Sequence, residues 1–145
     1  MIVLDTSVVS EPMKARGNPA VSAWLDRQVA DTLYFTATSL SELLVGIELL
    51  PEGRRRSGLD QALSELVMRL FGPRILPFDQ QAATVYARLV GRAREAGHAI
   101  TFAAGQIAAI AGAHGFTVAT RDTALFAAAG VPVINPWESQ RPASG

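Results

Sequence analysis

Three acidic residues stand where a carboxylate could do chemistry: Asp5, Glu42 and Asp122. Asp5 closes the apolar run Ile2-Val3-Leu4, and Asp122 closes Thr117-Val118-Ala119-Thr120-Arg121 in the same way. Short continuous apolar runs suit strands buried on both faces of a parallel sheet. In open α/β sheets, ligands bind outside the carboxyl ends of such strands. Glu42 falls in the first turn of a helix that should follow a second strand, Leu33 to Thr36. If those strands are neighbours, all three carboxylates converge on one crevice. Clustered carboxylates repel one another unless a hard divalent cation neutralises them, and Mg²⁺ or Mn²⁺ is the natural occupant of an all-oxygen site. Such an ion can generate hydroxide, orient a phosphodiester and stabilise a leaving oxygen.

Each acid also has a purely structural use. Asp5, Thr6 or Ser7 could N-cap the helix that follows. Ser39-Leu40-Ser41-Glu42 reads as a capping box, with Glu42 reaching back to the backbone of Ser39. Asp122 could cap a short helix or pair with Arg121. Glu11, Asp26, Asp31, Glu48, Glu52, Asp60, Glu65 and Glu95 read as solvated surface. His98 and His114 are too isolated for a zinc site or a triad, and Gly91 and Gly97 lack the spacing and lysine of a phosphate loop.

The elements that must position the acids follow from local signals. After Asp5 a short helix or turn runs through Met13. Asn18-Pro19 looks like an N-cap with proline at the first helical position, opening a helix to Ala30 with Val21, Trp24, Leu25 and Val29 on its apolar side. Ser39 opens a second helix that stops before Pro51. Glu52 to Gly58, containing Arg54-Arg55-Arg56, reads as a polar connection, and a longer helix then reaches about Phe71. Arg74 to Pro77 is a short strand, Asp79 an N-cap, and Gly97 the C′ residue of the helix ending at Ala96. Thr101 begins an Ala-rich helix ending near His114. Phe116 to Thr120 is a strand, and Val131 to Ile134 is an edge strand, because Pro132 cannot donate to a ladder. Strands alternating with helices imply a parallel sheet covered on both faces. The expectation is one α/β domain over residues 1–138, with 139–145 a disordered tail.

Composition narrows the class. The chain has 145 residues, is 49% hydrophobic, and has a formal net charge of zero and no cysteine. These features exclude a disulfide framework and thiolate metal sites, and no global field draws in nucleic acid. Every basic residue except Lys14 is arginine. No apolar run approaches the roughly 18 residues of a membrane span, and the start lacks the pattern of a signal peptide. The default is a cytoplasmic protein with no membrane association.

Taken in order, the residues resemble the PIN-domain proteins of the VapC type, the toxin halves of bacterial toxin–antitoxin pairs. The matching stretches are Ile2 to Pro12, Ser41-Glu42-Leu43 with Gly46, Arg74 to Asp79, Val118 to Thr123, and Asn135-Pro136-Trp137. They cover residues 1 to about 138 colinearly. The resemblance implies a PIN fold, with a parallel sheet of order 3-2-1-4-5 between helices. It implies an Mg²⁺- or Mn²⁺-dependent endoribonuclease acting on single-stranded or loop RNA. It also implies a homodimer or dimer of heterodimers, and a cognate antitoxin whose C-terminal segment lies against the toxin helices and reaches the acidic site. DNA is contacted only through that antitoxin. Carried over residue by residue, Asp5, Glu42 and Asp122 match acidic positions, and Thr6, Ser7 and Thr120 match hydroxyls beside them.

One position departs from the pattern. The family has an Asp early in the helix before the last acidic strand, and here that residue is Ala104. Gln106 does not replace it, being neutral and turned about 200° around the helix. Two origins compete: a deliberate inactivating Asp→Ala change, favoured by the intactness of the other motifs, or drift into a non-catalytic binding or regulatory module acting through the antitoxin complex. Either implies a catalytically weakened chain, because metal affinity falls with ligand charge. Haloacid-dehalogenase-like phosphatases and receiver domains fit poorly. The first need Asp where Ser7 stands, and the second need a late lysine.

Overall fold

The computed structural model describes residues 1–138, so the expected tail at 139–145 lies outside the described residues. Five parallel strands form one sheet: β1 (Ile2–Leu4), β2 (Leu33–Thr36), β3 (Ile75–Leu76), β4 (Thr117–Ala119) and β5 (Val133–Ile134). Their order is β3-β2-β1-β4-β5, as the resemblance implied. β1 is central: Ile2 pairs with Leu33 on one side and Thr117 on the other, and Leu4 lies opposite Ala119. The strands that end in Asp5 and just before Asp122 are therefore neighbours, and β2, which feeds the helix bearing Glu42, flanks β1.

The helices are α1 (Thr6–Ser10), α2 (Pro19–Asp26), α3 (Ala37–Glu48), α4 (Arg54–Leu66), α5 (Gln80–Glu95), α6 (Phe102–His114) and α7 (Thr123–Ala128). Parallel strands need such crossovers, and the period-two alternation of the strands tells each face which helices to bury. Val3 and Val118 point to one face and join Leu89 of α5, Ile107 of α6 and Phe126 of α7. Leu4, Phe35 and Ala119 point to the other, with Val8 of α1, Trp24 of α2 and Phe71 after α4. Phe35 and Phe71 are fully buried and stack at 5.1 Å; each such side chain stabilises the fold by roughly 1.5–3 kcal/mol. α6 lies close to the sheet because Ala108, Ala109 and Ala111 are small and buried. At Gly105 a Cβ would come 2.6 Å from the Tyr86 ring, so only glycine lets α5 and α6 meet there.

Several sequence expectations hold at residue level. Asn18, Asp79 and Thr101 accept from Ala20, Ala82 and Ala104 N–H as N-caps, and Gly97 has φ 79°. Others are corrected. α2 stops at Asp26, not Ala30, because the chain must turn through a 3₁₀ segment (Ala30–Thr32) into β2, which leaves Val29 67% exposed. α3 begins at Ala37, two residues before Ser39, because Thr36 at the end of β2 accepts the Ser39 N–H and is itself the cap. α4 begins at Arg54, so the three arginines are helical, after Gly53 at φ 153°. Glu11, expected on the surface, is 7% exposed. It accepts from the Asn18 backbone N–H and from Lys14, both at 2.9 Å, and so clamps the turn after α1. No helix among the described residues is long and apolar enough to cross a membrane.

Candidate active site

Asp5 is the residue the crevice is built on. It leaves β1 with extended backbone and caps α1, its Oδ1 accepting the Thr6 N–H at 2.8 Å. Its Oδ2 accepts the Thr120 hydroxyl at 2.8 Å and the Ser7 hydroxyl at 3.5 Å. The capping use and the site use of Asp5 thus coexist on different oxygens. Thr120 is fully buried at the end of β4 and also accepts the Asp122 N–H at 2.9 Å, so one hydroxyl joins the two acidic strand ends. Burial raises the Asp5 pKa above 3.8. The Thr120 and Thr6 hydrogen bonds oppose that rise, and the charges of Glu42 and Asp122 add to it. Thr6 bonds both Asp5 and Glu42, and Thr120 bonds both Asp5 and the Asp122 backbone, so each of the other two acids is one residue's hydrogen bonds away from Asp5.

Glu42 is not a capping residue. With α3 starting at Ala37, it lies beyond the first turn, and its Oε1 accepts the Thr6 hydroxyl at 2.7 Å. Asp122 precedes α7, yet its side chain makes no capping hydrogen bond. Arg121 turns away from it, its guanidinium carbon 5.3 Å from the centroid of the Trp137 ring. Glu42 and Asp122 are both solvent-exposed, so the crevice is open on their side.

The fourth side is α6. It precedes β4 and runs antiparallel to it, which puts its first turn at the same carboxyl edge. Thr38 in the first turn of α3 donates to Gln106 Oε1 at 2.7 Å and ties the two helix starts together. Ala104, half-buried, has its N–H accepted by Thr101 Oγ1 at 3.2 Å. Gln106 is committed to Thr38, so it supplies nothing in place of an acid at 104. Neither this tie nor the Glu11 clamp was found from sequence. The Thr38–Gln106 bond joins residues 68 positions apart with no local signature.

The family model described as the PIN domain matches residues 2–131. The chain belongs to the PIN-domain family. It is 49% identical over 138 residues to the VapC ribonuclease Y4jK of Sinorhizobium fredii, covering 95% of this chain and 99% of that one. It is 44% identical over 137 residues to Toxin FitB of Neisseria gonorrhoeae, covering 94% of this chain and 99% of the relative. The solved structure of FitAB bound to an IR36 DNA fragment superposes with a TM-score of 0.92 at 42% identity, covering 97% of this chain and 99% of that chain.

In a PIN domain of this kind the donor set suits a hard divalent ion. All candidate ligands are oxygens, and the half-buried Asp5 has two further negative groups acting on it, a charge excess that a cation relieves. Among the described residues no three acidic, histidine or cysteine side chains converge closely enough to hold a metal by themselves.

Proposed function

We propose that this PIN domain is the toxin of a bacterial toxin–antitoxin pair: a cytoplasmic, Mg²⁺- or Mn²⁺-dependent endoribonuclease, weakened by Ala104. The observation that carries this reading is the environment of Asp5, a half-buried carboxylate anchored by Thr6 and Thr120 while burial, and then the charges of Glu42 and Asp122, raise its pKa. The names of its relatives, a VapC ribonuclease and Toxin FitB, support it. When bound, the ion would be held directly by one or two of Asp5, Glu42 and Asp122 and through water by the rest, and would supply an acidified water and charge for the leaving oxygen. Thr120 and Thr6 fix the Asp5 carboxylate, and Thr6 also orients Glu42, so both acids hold their direction without substrate. Ser7 offers a weaker third hydroxyl.

The partner is an antitoxin. A cavity of about 510 Å³ between α2 and α4 is lined by Leu25, Leu59, Leu66, Leu70 and Phe71, with Asp26 its only charged wall; it suits an apolar helical segment. DNA would be reached through that partner. Leu44 and Val45, exposed on α3, and Leu49 just after it supply a face for a homodimer or a dimer of heterodimers. Ala104 also favours a second reading, a non-catalytic module that retains only partner binding.

Ala104→Asp discriminates the two. Mg²⁺- or Mn²⁺-dependent cleavage of RNA should then appear or rise by orders of magnitude. Micromolar binding to the co-encoded partner, with no cleavage by the restored chain in either metal, would establish the second reading.

A further inference from the structure

A second cavity, of about 720 Å³, opens beside the acidic crevice and shares Glu42 with it. Its walls are the turn after α1, one side of α3 and the start of α4. Lys14, Arg54 and Arg55 line it, and Glu42 is its only acid. The neighbouring apolar cavity, which shares the Met13 and Leu59 wall, contains no cation. A polyanion fits the first and an apolar peptide the second.

The two arginines have no evident structural task. Arg56 pairs with Glu48 at 2.9 Å, whereas Arg54 and Arg55 enter no ion pair among the described residues. Both occupy the first turn of α4, where the helix's own positive end disfavours cations. Gly46 of α3 and Gly58 of α4 also line the cavity, and a Cβ at either would meet nothing within 4 Å. Glycine weakens a helix interior, and here two helices each carry one facing open space.

We infer that this channel holds the phosphate backbone of a single-stranded RNA segment adjoining the bond cut at the acidic site, with Arg54 and Arg55 as its phosphate contacts and Lys14 held at its edge by Glu11. The inference rests on the ribonuclease reading. Arginine is suited to bidentate phosphate contact, the apolar floor of Leu43 and Leu50 can receive unstacked bases, and Glu42 marks where the strand enters the crevice.

The test is fluorescence anisotropy of a fluorescein-labelled 12-nucleotide single-stranded RNA of mixed sequence, titrated with the full chain between about 50 and 200 mM NaCl, the range over which phosphate contacts show their salt dependence. Each lost contact should lower the log–log salt slope by about 0.7, so Arg54→Gln/Arg55→Gln together should lower it by about 1.4. Arg88→Gln/Arg94→Gln on α5 should leave the slope unchanged. Gly58→Met, which fills the channel without altering charge, should weaken binding at an unchanged slope. The inference is overturned if the Arg54→Gln/Arg55→Gln variant keeps the wild-type slope, if the α5 pair lowers it equally, or if Gly58→Met binds as wild type. Tighter binding of a decaglutamate peptide than of the RNA would assign the channel to an acidic protein segment instead. Failure of the unaltered chain to bind RNA at the lowest salt would overturn the ribonuclease reading and the inference with it.

Discussion

On its strand side the site is crosslinked: Asp5 to Thr6 and Thr120, Thr6 to Glu42, Thr120 to Asp122. On its α6 side the scaffold is equally complete, with Thr101 capping the helix, Gln106 tied to Thr38 and Gly105 seated under Tyr86, yet no carboxylate projects from it. The difference is one functional group on an otherwise finished support. A site decaying as a whole would lose its positioning bonds along with its acid. Here the strand side still holds a half-buried carboxylate against the penalty of burial, with the Thr120 hydroxyl and the Thr6 N–H opposing that penalty.

The largest effect should come from breaking the strand side in a chain whose α6 side has been restored. In Ala104→Asp, adding Asp5→Asn should remove metal-dependent RNA cleavage by orders of magnitude, measured as initial rates in Mg²⁺ and Mn²⁺. Asn keeps the shape and can still accept from Thr6, so loss would report the charge. Glu42→Gln in the same background should also reduce cleavage, since its partner is the Thr6 hydroxyl and no capping role is available to preserve.

Thr120→Val should cost less, about 10–100-fold in rate, as is usual for groups that orient a ligand. It also has a signature that a packing defect lacks. Thr120 donates to Asp5 and lowers its pKa, so removing the hydroxyl lets burial raise that pKa further. The acid limb of the pH–rate profile should move to higher pH.

Much of this architecture was legible in the sequence because its signals are local. Asn18-Pro19, Asp79, Gly97 and Thr101 each mark a helix end through a side chain or backbone preference acting within four residues. The strand order came from resemblance, and the alternation of Val3 and Leu4 shows why both faces need helices. The start of α3 was not legible, because Thr36 serves as both the last strand residue and the cap, while Ser39 carries an equally good capping pattern. The start of α4 was hidden because Gly53 offers no capping side chain. Glu11 looked like surface because its burial depends on an N–H seven residues away. Among the candidate site residues, the acids and Thr120 drew attention from their places after strands, but the α3–α6 tie rests on long-range pairing that no spacing reveals.

Smaller effects concern stability. The Asp5 pKa is raised, so ionised Asp5 works against folding at neutral pH, and that cost disappears as pH falls through its folded pKa toward 3.8. Asp5→Asn should therefore stabilise the chain at pH 7 by about 0.5–2 kcal/mol in urea unfolding, with the difference shrinking in acid. Glu11 has the opposite sign: the Asn18 N–H and Lys14 lower its pKa, so it contributes stability above 4.5 that is lost as pH falls through its folded value. Glu11→Gln should lower the unfolding midpoint slightly at pH 7, with the difference shrinking as pH falls through the folded pKa of Glu11.

The contrast between the two sides is tested most directly by a calorimetric Mn²⁺ titration of this chain beside its Ala104→Asp variant. If the α6 side lacks only its carboxylate, the variant should bind Mn²⁺ about 10–100-fold more tightly, and Asp5→Asn should abolish that gain. Equal affinities in the two chains would contradict a shared metal site formed by Asp5, Glu42, Asp122 and position 104.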